Sequence, residues 1–330
     1  FTLGLTMITR VEAIQGGQSA SANPYSVALV IRTGPTTAEL CTSGLIADSI
    51  VVTAAHCVVN DGKVIDLSSI RAFAPGADVK EPLSASASAI FYPSTYMHLS
   101  NSAEPDDIAF IVFDEKIGTP KIASLADNQV VQKIVTAGTP ITLYGYGITG
   151  LNQGAPGYPK SLSLRPIEQV GLKGFAGKEK TYINYAQEES GAVCNGDSGS
   201  PAVATLDGIT YLVSVHSAST GICSSSNGEV NTNWGTIPGQ YADLYLEARK
   251  FAASIPPKVP ASPSPSVSAS PSASSSIAPS PKPTATPSKT PSPTPSKSAA
   301  KLITIKCVKG KTIKKVTGTK PKCPVGYKKV

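Results

Sequence analysis

The first 255 residues alternate between short apolar runs and clusters of Gly, Pro, Asn and Ser. The runs read as strands, and no helical periodicity separates one from the next. Several short strands in this arrangement predict an all-β fold, built as a sandwich or as barrels. The clearest runs are YSVALVI at 25–31, SGLIADSIVVTAAHC at 43–57, DIAFIVF at 107–113, PITLYGYG at 140–147 and ITYLVSVHS at 209–217.

One late segment, residues 240–255, has a different pattern. Its apolar residues recur at helical spacing and share one face, which is typical of an amphipathic helix. We therefore predict a helix at the end of the β-rich region. The apolar positions of this helix are Leu244, Ala248, Phe251 and Ile255.

The composition changes at Pro256. Residues 256–300 contain 13 Pro, and Ser, Thr and Ala fill most of the other positions. Such a segment cannot bury enough apolar surface to fold, and its proline content favours an extended, semi-rigid chain. It is predicted to be a disordered linker that reaches on the order of 140 Å at most.

Residues 301–330 form a short basic segment with ten Lys and no acidic residue. Two alternating stretches, LITI and KTIKKV, lie between or beside Cys307 and Cys323. Thirty residues are not stable on core burial alone, so a cross-link worth about 3 kcal/mol is expected. The segment is predicted to be a small β module held together by a disulfide.

The charge is divided unevenly along the chain. Residues 1–255 have a net charge of −7, whereas residues 256–330 have a net charge of +14. A basic module at the end of a long linker favours polyanions, and we expect an anionic cell-wall polymer or the cell surface as its partner. A merely solubilising tail is the alternative. Nucleic acid is disfavoured because Tyr327 is the one aromatic residue of the module.

Cysteine usage and the N-terminus both indicate a secreted protein. The six Cys fall into three sequence-local pairs, which is typical of disulfides formed in an oxidising compartment. Residues 1–13 end in Val11-Glu12-Ala13, which resembles the small-residue site cut by signal peptidase, so they are predicted to be a leader or pro-segment remnant. No apolar run approaches the roughly 20 residues of a membrane-spanning helix. The cysteines are Cys41, Cys57, Cys194, Cys223, Cys307 and Cys323.

Neither a metal nor an organic cofactor is expected. The chain has no Cys-x-x-Cys pair and only three His, which leaves few ligands for a metal site. One of these, His98 in YMHLSN, belongs to no motif and is predicted to lie in a surface loop.

The sequence AVCNGDSGSP, at residues 192–201, places a serine in a glycine-rich turn. Serine is a weak nucleophile until a positioned base takes its proton and a third group orients that base. His56, at the end of the strand-like VVTAAHC, offers the base. Asp107, directly before the apolar run IAFIVF, offers the carboxylate, and Ser198 is the candidate nucleophile.

The same turn offers an oxyanion site. The backbone N–H groups of Gly196 and Ser198 are predicted to point into one concavity, where they would stabilise the charge that develops on an attacked carbonyl. Gly196 permits the backbone conformation that this requires, and Asp197 is expected to fix the turn.

The motifs TAAHC, DDIAF and GDSGSP follow in the order His, Asp, Ser over two β-rich halves. In this the chain resembles the trypsin/chymotrypsin-type serine proteases, including secreted bacterial ones, over roughly residues 14–255. The resemblance implies two six-stranded antiparallel β-barrels with a boundary near 125–135, and an endopeptidase that cuts protein or peptide substrates through an acyl-enzyme intermediate. A catalytically silent, protease-like adhesion protein is the alternative, and an esterase is a narrower one.

The resemblance also covers positions outside the triad. It implies one disulfide between Cys41 and Cys57, beside the catalytic histidine, and another between Cys194 and Cys223, beside the nucleophile turn. YGYG at 144–147 is similar to the family's Gly-Trp-Gly turn, with Tyr in place of Trp, and PGQY before the terminal helix also fits.

The stretch that starts at Ile14 resembles the mature N-terminus of the family, Ile-Val-Gly-Gly, with Gln15 in place of Val. This implies that cleavage frees the Ile14 amine, which then pairs with Asp197 and orders the site. A buried carboxylate without a partner is costly, so an uncleaved chain should have a poorly formed site. Because Ala13 is not basic, signal peptidase or another protease would make the cut.

The resemblance assigns five residues to substrate binding. Ala192 stands at the base of the primary pocket, where trypsin-like enzymes carry Asp, so cleavage after Lys or Arg is not expected. In SVHS, Ser214 matches the family's Ser-Trp-Gly strand, whereas Val215 and His216 do not. His216 would narrow the pocket, donate to an acidic side chain, or face solvent at the rim, and Gly239 would line the opposite wall. We expect small, aliphatic or acidic residues before the cut.

Overall fold

The computed structural model describes residues 14–79, 82–83, 85–98, 104–148, 157–171, 181–187, 191–220 and 232–256, and the backbone of 303–309, 312–318 and 328–329. The chain divides into two units, residues 1–262 and 263–330. The predicted leader at 1–13, the predicted linker beyond its first residue, Cys223 and Cys323 lie outside the described residues.

The first unit is mostly β. Its helices are α1 (Asn128–Ala137) and α2 (Ala242–Ser254). Its strands are β1 (Gln18–Ser19), β2 (Ser26–Arg32), β3 (Ala38–Ala47), β4 (Ile50–Thr53), β5 (Val59–Asn60), β6 (Lys63–Val64), β7 (Ile70–Ala72), β8 (Ala87–Phe91), β9 (Ala109–Phe113), β10 (Ser124–Leu125), β11 (Ile141–Gly145), β12 (Lys160–Val170), β13 (Tyr182–Gln187), β14 (Pro201–Leu206), β15 (Ile209–Ser219) and β16 (Thr232–Thr236).

The N-terminal half folds into a six-stranded antiparallel sheet in the order β7-β2-β3-β4-β9-β8. One face of this sheet buries an apolar core that includes Leu29, Val51 and Ile111. Within the described residues the edge strands β7 and β8 do not pair with each other. As far as the structure describes it, this half is a half-barrel sheet, and its closure into a six-stranded barrel stays a prediction.

The C-terminal half forms a closed barrel. Its six strands follow the order β12-β11-β14-β15-β16-β13, and β13 pairs back onto β12. Alternate side chains of β11 fill the interior of the barrel: Ile141 and Leu143 are fully buried, and the residues between them are less buried. The prediction of a six-stranded antiparallel barrel is confirmed for this half.

A third apolar cluster lies between the two sheets and under α2. It combines Val52 and Phe110 from the first sheet, Leu212 from the second and Ala248 from α2. The predicted terminal helix is confirmed, although a 3-10 turn at Pro238–Tyr241 takes up its first residues.

Two elements differ from the sequence prediction. Helix α1 lies in the segment expected to be an inter-barrel boundary; the Asp127 side chain accepts from the N–H of Val130 at 2.9 Å, and Gly138, at φ +62°, ends the helix. The run at 43–57 is not one strand. It is the β3–β4 hairpin followed by a 3-10 turn at Ala55–Cys57.

The second unit contains three short strands, β17 (Ile303–Lys309), β18 (Thr312–Gly318) and β19 (Lys328–Lys329). Strand β17 is central and pairs antiparallel with both of the others. The small, disulfide-held β module stays a prediction. Its disulfide from Cys307 to Cys323 stays a prediction, because Cys323 lies outside the described residues.

Candidate active site

The 3-10 turn that follows β4 carries His56, and the loop that enters β9 carries Asp107. These strands are paired, with Thr53 opposite Ala109, so both residues lie at the same end of the sheet. The ring Nδ1 of His56 lies 2.8 Å from Oδ2 of Asp107. The backbone N–H of His56 also donates to Oδ1 of Asp107 at 3.0 Å. Two contacts therefore fix the imidazole relative to the carboxylate.

Asp107 is fully buried, and its charge is balanced by hydrogen bonds. Besides His56, the hydroxyl of Ser217 donates to Oδ2 at 2.6 Å. Burial alone would raise the pKa of Asp107, but the charge and hydrogen bonds of His56 and the Ser217 hydroxyl lower it below the ordinary value. The carboxylate is therefore ionised at neutral pH.

The pKa of the His56 imidazole is shifted upward, whereas that of Asp107 is shifted downward. Its side chain is 24% exposed. Burial works to lower the pKa of His56, but the negative charge and hydrogen bond of Asp107, together with the charge of Glu104, raise it above the ordinary value. The surroundings thus favour a proton on this ring.

Backbone contacts fasten the Ser198 turn beside the His56 segment. The N–H of Thr42 donates to the carbonyl of Ser198 at 2.9 Å. Gly199 has φ +80°, and a Cβ there would meet the backbone N of Ala54 at 2.9 Å, so only glycine allows this close approach. The Cys41–Cys57 disulfide, which confirms the prediction for that pair, ties β3 to the turn that holds His56.

Gly196 lies at the base of the same turn. Its φ is +92°, and a Cβ there would approach the Cα of Gly147 to 2.9 Å. The Thr42 hydroxyl donates to the carbonyl of Gly196 at 2.9 Å and holds the peptide in place. Within the part of the chain that the structure describes, neither Gly196 nor Ser198 donates its N–H to another residue.

Asp197 is fully buried beneath the turn. Its carboxylate accepts hydrogen bonds from the N–H of Gly147 and of Cys194, each at 2.8 Å. Burial raises the pKa of Asp197 to about 7, although these two hydrogen bonds oppose the shift. Cys194 is disulfide-bonded, and the partner we predict for it, Cys223, lies outside the described residues.

The segment that starts at Ile14 lies against this region. Ile14 is fully buried and belongs to the core of the closed barrel. The N–H of Ala192 donates to the carbonyl of Gln15 at 2.8 Å, which attaches the segment to the residues that lead into the Ser198 turn. Ala192 itself is fully buried.

The structure gives the surroundings of three of the five residues assigned to substrate binding, and these assignments stay predictions. Ser214 is fully buried, and Ser217, three residues later, is the serine that contacts Asp107. Val215 is fully buried in the apolar cluster between the sheets, and its assignment to substrate binding stays a prediction.

The assignment of Gly239 to the opposite wall of the pocket stays a prediction. It lies beyond β16, and its N–H donates to the carbonyl of Ala126 at 3.0 Å. The glycine opposite His216 is Gly235, in the pairing of β15 with β16. A Cβ on Gly235 would meet the Oγ of Ser214 at 2.4 Å, so no side chain fits there.

His216 does not face solvent. It is 4% exposed, its Nδ1 lies 2.9 Å from the hydroxyl of Tyr185, and its Nε2 lies 3.4 Å from the Oγ of Ser219. Burial, followed by the charge of His56, lowers the pKa of His216 to about 3, against a smaller raising effect of Asp107. The ring is therefore neutral at neutral pH.

Glu104 is a site residue that no motif indicated. Its carboxylate is nearly buried; Oε2 accepts from the hydroxyl of Tyr96 at 2.5 Å, and Oε1 lies 2.6 Å from Nδ1 of His98. His98 has a side chain that is 59% exposed, in accord with the predicted surface loop, but it contacts the site. One ring nitrogen of His56 and one oxygen each of Glu104 and Asp107 lie within 4.8 Å of one another.

These three side chains have the donor types of a metal site. Asp107, however, already accepts three hydrogen bonds from His56 and Ser217.

A half-barrel sheet and a closed barrel, with a His–Asp pair beside a serine-bearing turn, form the arrangement expected of a serine peptidase. The model of the Trypsin family matches residues 14–236, and the chain belongs to that family. It is 27% identical over 197 residues to the serine protease SP24D of Anopheles gambiae, an alignment that covers 58% of this chain and 67% of that protein. The predicted resemblance to trypsin-like serine proteases is confirmed, and the protein is a serine endopeptidase.

Family membership implies protein substrates. None of the helices in the described residues has the length and apolar character needed to cross a membrane.

Proposed function

We propose that the protein is a secreted serine endopeptidase that cuts peptide bonds through an acyl-enzyme on Ser198. The observation that carries the proposal is the doubly fixed His56–Asp107 pair, with the Ser198 turn fastened beside it. The identity of the chain as a serine endopeptidase is independent support.

Proton transfer begins at His56. Because the ionised Asp107 accepts a hydrogen bond from Nδ1–H, the neutral ring presents an unprotonated Nε2, which takes the proton of Ser198 as Oγ attacks the carbonyl. The amides of Gly196 and Ser198 donate to the resulting oxyanion. The His56 imidazolium, favoured by the negative surroundings, then protonates the leaving amine, and water releases the acyl group by the reverse sequence.

Cleavage before Ile14 would complete the site. Burial raises the pKa of the Asp197 carboxyl, and a cation beside it would oppose that shift. The adjacent Ile14 segment is already packed into the barrel, so the freed ammonium would lie in the same region. The proposed ion pair stabilises the ionised Asp197 and the turn that carries Ser198.

The pocket favours a non-basic residue before the cut. Ala192 offers no carboxylate to a Lys or Arg side chain, and a buried cation without a partner is costly. His216, neutral and held between Tyr185 and Ser219, offers a polar donor. We expect the pocket to accept small and aliphatic substrate side chains. It should also accept acidic ones, because the His216–Ser219 pair could donate a hydrogen bond to a substrate carboxylate.

The basic second unit is proposed to hold the enzyme at the cell envelope. Within this unit, residues 301–330 hold ten Lys and no acidic residue, which favours an anionic cell-wall polymer. Two truncations, one lacking 301–330 and one lacking 256–330, should both lose salt-sensitive retention on isolated envelopes. Equal retention of the full chain and both truncations would refute this attachment.

Hydrolysis of an unfolded protein substrate tests the catalytic proposal. Ser198→Ala should lose activity by roughly 10⁴-fold or more. Ser200→Ala is the matched control, because that serine is buried two positions away and should keep activity within about tenfold. Full activity of Ser198→Ala would refute the proposal, and inactivity of a folded, processed wild type would favour the adhesion alternative.

A further inference from the structure

We propose that Glu104 is a positioning residue for His56, acting through space as a second negative charge on the catalytic imidazole. The proposal rests on the proposed role of His56 as the base, and it adds a carboxylate that lies outside the Ser-His-Asp set. Its basis is the shared cluster in which ligand atoms of His56, Glu104 and Asp107 lie within 4.8 Å of one another.

The position of the Glu104 carboxylate is fixed by its neighbours. The side chain is 7% exposed, and the Tyr96 hydroxyl donates to Oε2 at 2.5 Å. The hydroxyl of Tyr182 donates to the backbone carbonyl of the same residue, which holds the main chain as well. A carboxylate held in this way keeps its distance from His56, and water between the charges cannot screen it as it would at the surface.

The groups around the imidazole determine the direction of the effect. Asp107 contacts the imidazole directly, and a carboxylate oxygen of Glu104 lies within 4.8 Å of a ring nitrogen of His56. The neighbouring His216 is neutral at neutral pH and adds no charge there. His98 contacts Glu104 from the exposed side. The negative charge of Glu104 therefore reinforces that of Asp107 and raises the pKa of His56.

This second charge has a consequence for the reaction. The base must be neutral before attack and becomes an imidazolium as the tetrahedral intermediate forms. A negative charge nearby raises the pH at which the free enzyme becomes active, and it also stabilises the imidazolium once formed. Removal of the charge should move the acidic limb of kcat/KM to lower pH and decrease the plateau value of kcat.

NMR titration of the imidazoles measures this effect directly, because the chain has only three His. In Glu104→Gln, which keeps the size and an acceptor for Tyr96, the midpoint of His56 should move to lower pH. The control is Asp48→Asn, which removes one exposed carboxylate that pairs with Lys116, away from the site. That variant should titrate at His56 like the wild type.

Two further variants separate the effect of the Glu104 charge on the His56 titration from the effect of side-chain size. Glu104→Ala also removes the charge but differs in size, so a shared downward shift in the Gln and Ala variants identifies the charge as the cause. Glu104→Asp retains the charge and should restore the midpoint toward the wild-type value. The acidic limb of kcat/KM should follow the same order.

Identical His56 titrations in the wild type, Glu104→Gln and Glu104→Ala would overturn the proposal. The NMR result does not depend on turnover, so it decides the role of Glu104 even in a chain that proves inactive. Failure of the endopeptidase proposal would instead show as loss of the difference between wild type and Ser198→Ala.

Discussion

The hydroxyl of Ser217 donates a 2.6 Å hydrogen bond to Oδ2 of Asp107, the same oxygen that Nδ1 of His56 contacts. This contact joins β15 of the closed barrel to the residue that precedes β9 of the open sheet. It spans 110 residues of sequence and helps to orient the carboxylate of the proposed triad.

Ser217→Ala should decrease kcat about tenfold, because a hydrogen bond to a charged, buried carboxylate contributes about 1.5 kcal/mol or more. KM should change little, since the hydroxyl acts on Asp107. Steady-state kinetics on a peptide substrate measure both constants. Ser214→Ala, at the position first assigned by resemblance, is the control, and a larger loss there than at Ser217 would contradict this account.

Gly196→Ala should decrease kcat by at least about 100-fold, because the oxyanion amide must move when a Cβ is added. The structural reason is the positive φ together with the 2.9 Å approach to Gly147. Gly62→Ala is a matched control: Gly62 also has a positive φ, of +72°, but a Cβ there meets nothing within 4 Å. Comparable kinetic losses in both variants would point to backbone strain and away from an oxyanion site.

The uncleaved chain should lose stability as the pH rises. The pKa of Asp197 is raised from its ordinary value of 3.8, expected in the unfolded chain, to about 7 in the folded chain. Between pH 3.8 and about pH 7 the folded state therefore binds a proton that the unfolded state has released. At about 1.4 kcal/mol per pKa unit, the free energy of unfolding falls by roughly 4 kcal/mol across this window. Urea unfolding at about pH 4 and about pH 8 measures the change.

The chain that begins at Ile14 should not show this loss, because its ammonium favours the ionised form of Asp197. Acetylation of that amine should restore the behaviour of the uncleaved chain. Equal pH dependence in the cleaved and uncleaved proteins would contradict the ion pair.

His216→Val should decrease kcat/KM for substrates with an acidic residue before the cut by about tenfold, because a hydrogen-bond donor is lost from a buried pocket. Cleavage after Ala or Val should change less. A peptide library with one varied position measures both. If Lys or Arg dominates the wild-type profile, the account of the pocket is wrong.

The features that could be predicted from the sequence are those encoded by short local motifs. The His, Asp and Ser motifs, the Cys41–Cys57 bridge and the terminal helix each depend on a short stretch whose residue types are specific. Helix α1 has equally local signals in its Asp127 cap and Gly138 terminus, and a search for caps would have found it.

The pocket strand required information that lies outside a single stretch. In β15, the pairing with β16 shifts between His216 and Ala218, so counting along the strand does not tell which serine faces Asp107. Glu104 belongs to no motif, and its place beside His56 arises from the way the chain enters β9. Only the tertiary structure brings these groups together.

The most direct test of the central claim is to locate the adduct of an active-site-directed fluorophosphonate by mass spectrometry. In the chain that begins at Ile14, we predict a single adduct on Ser198, absent from Ser198→Ala and slowed strongly in His56→Ala. An adduct on a different serine, or no adduct on Ser198 in the folded protein, would contradict the account.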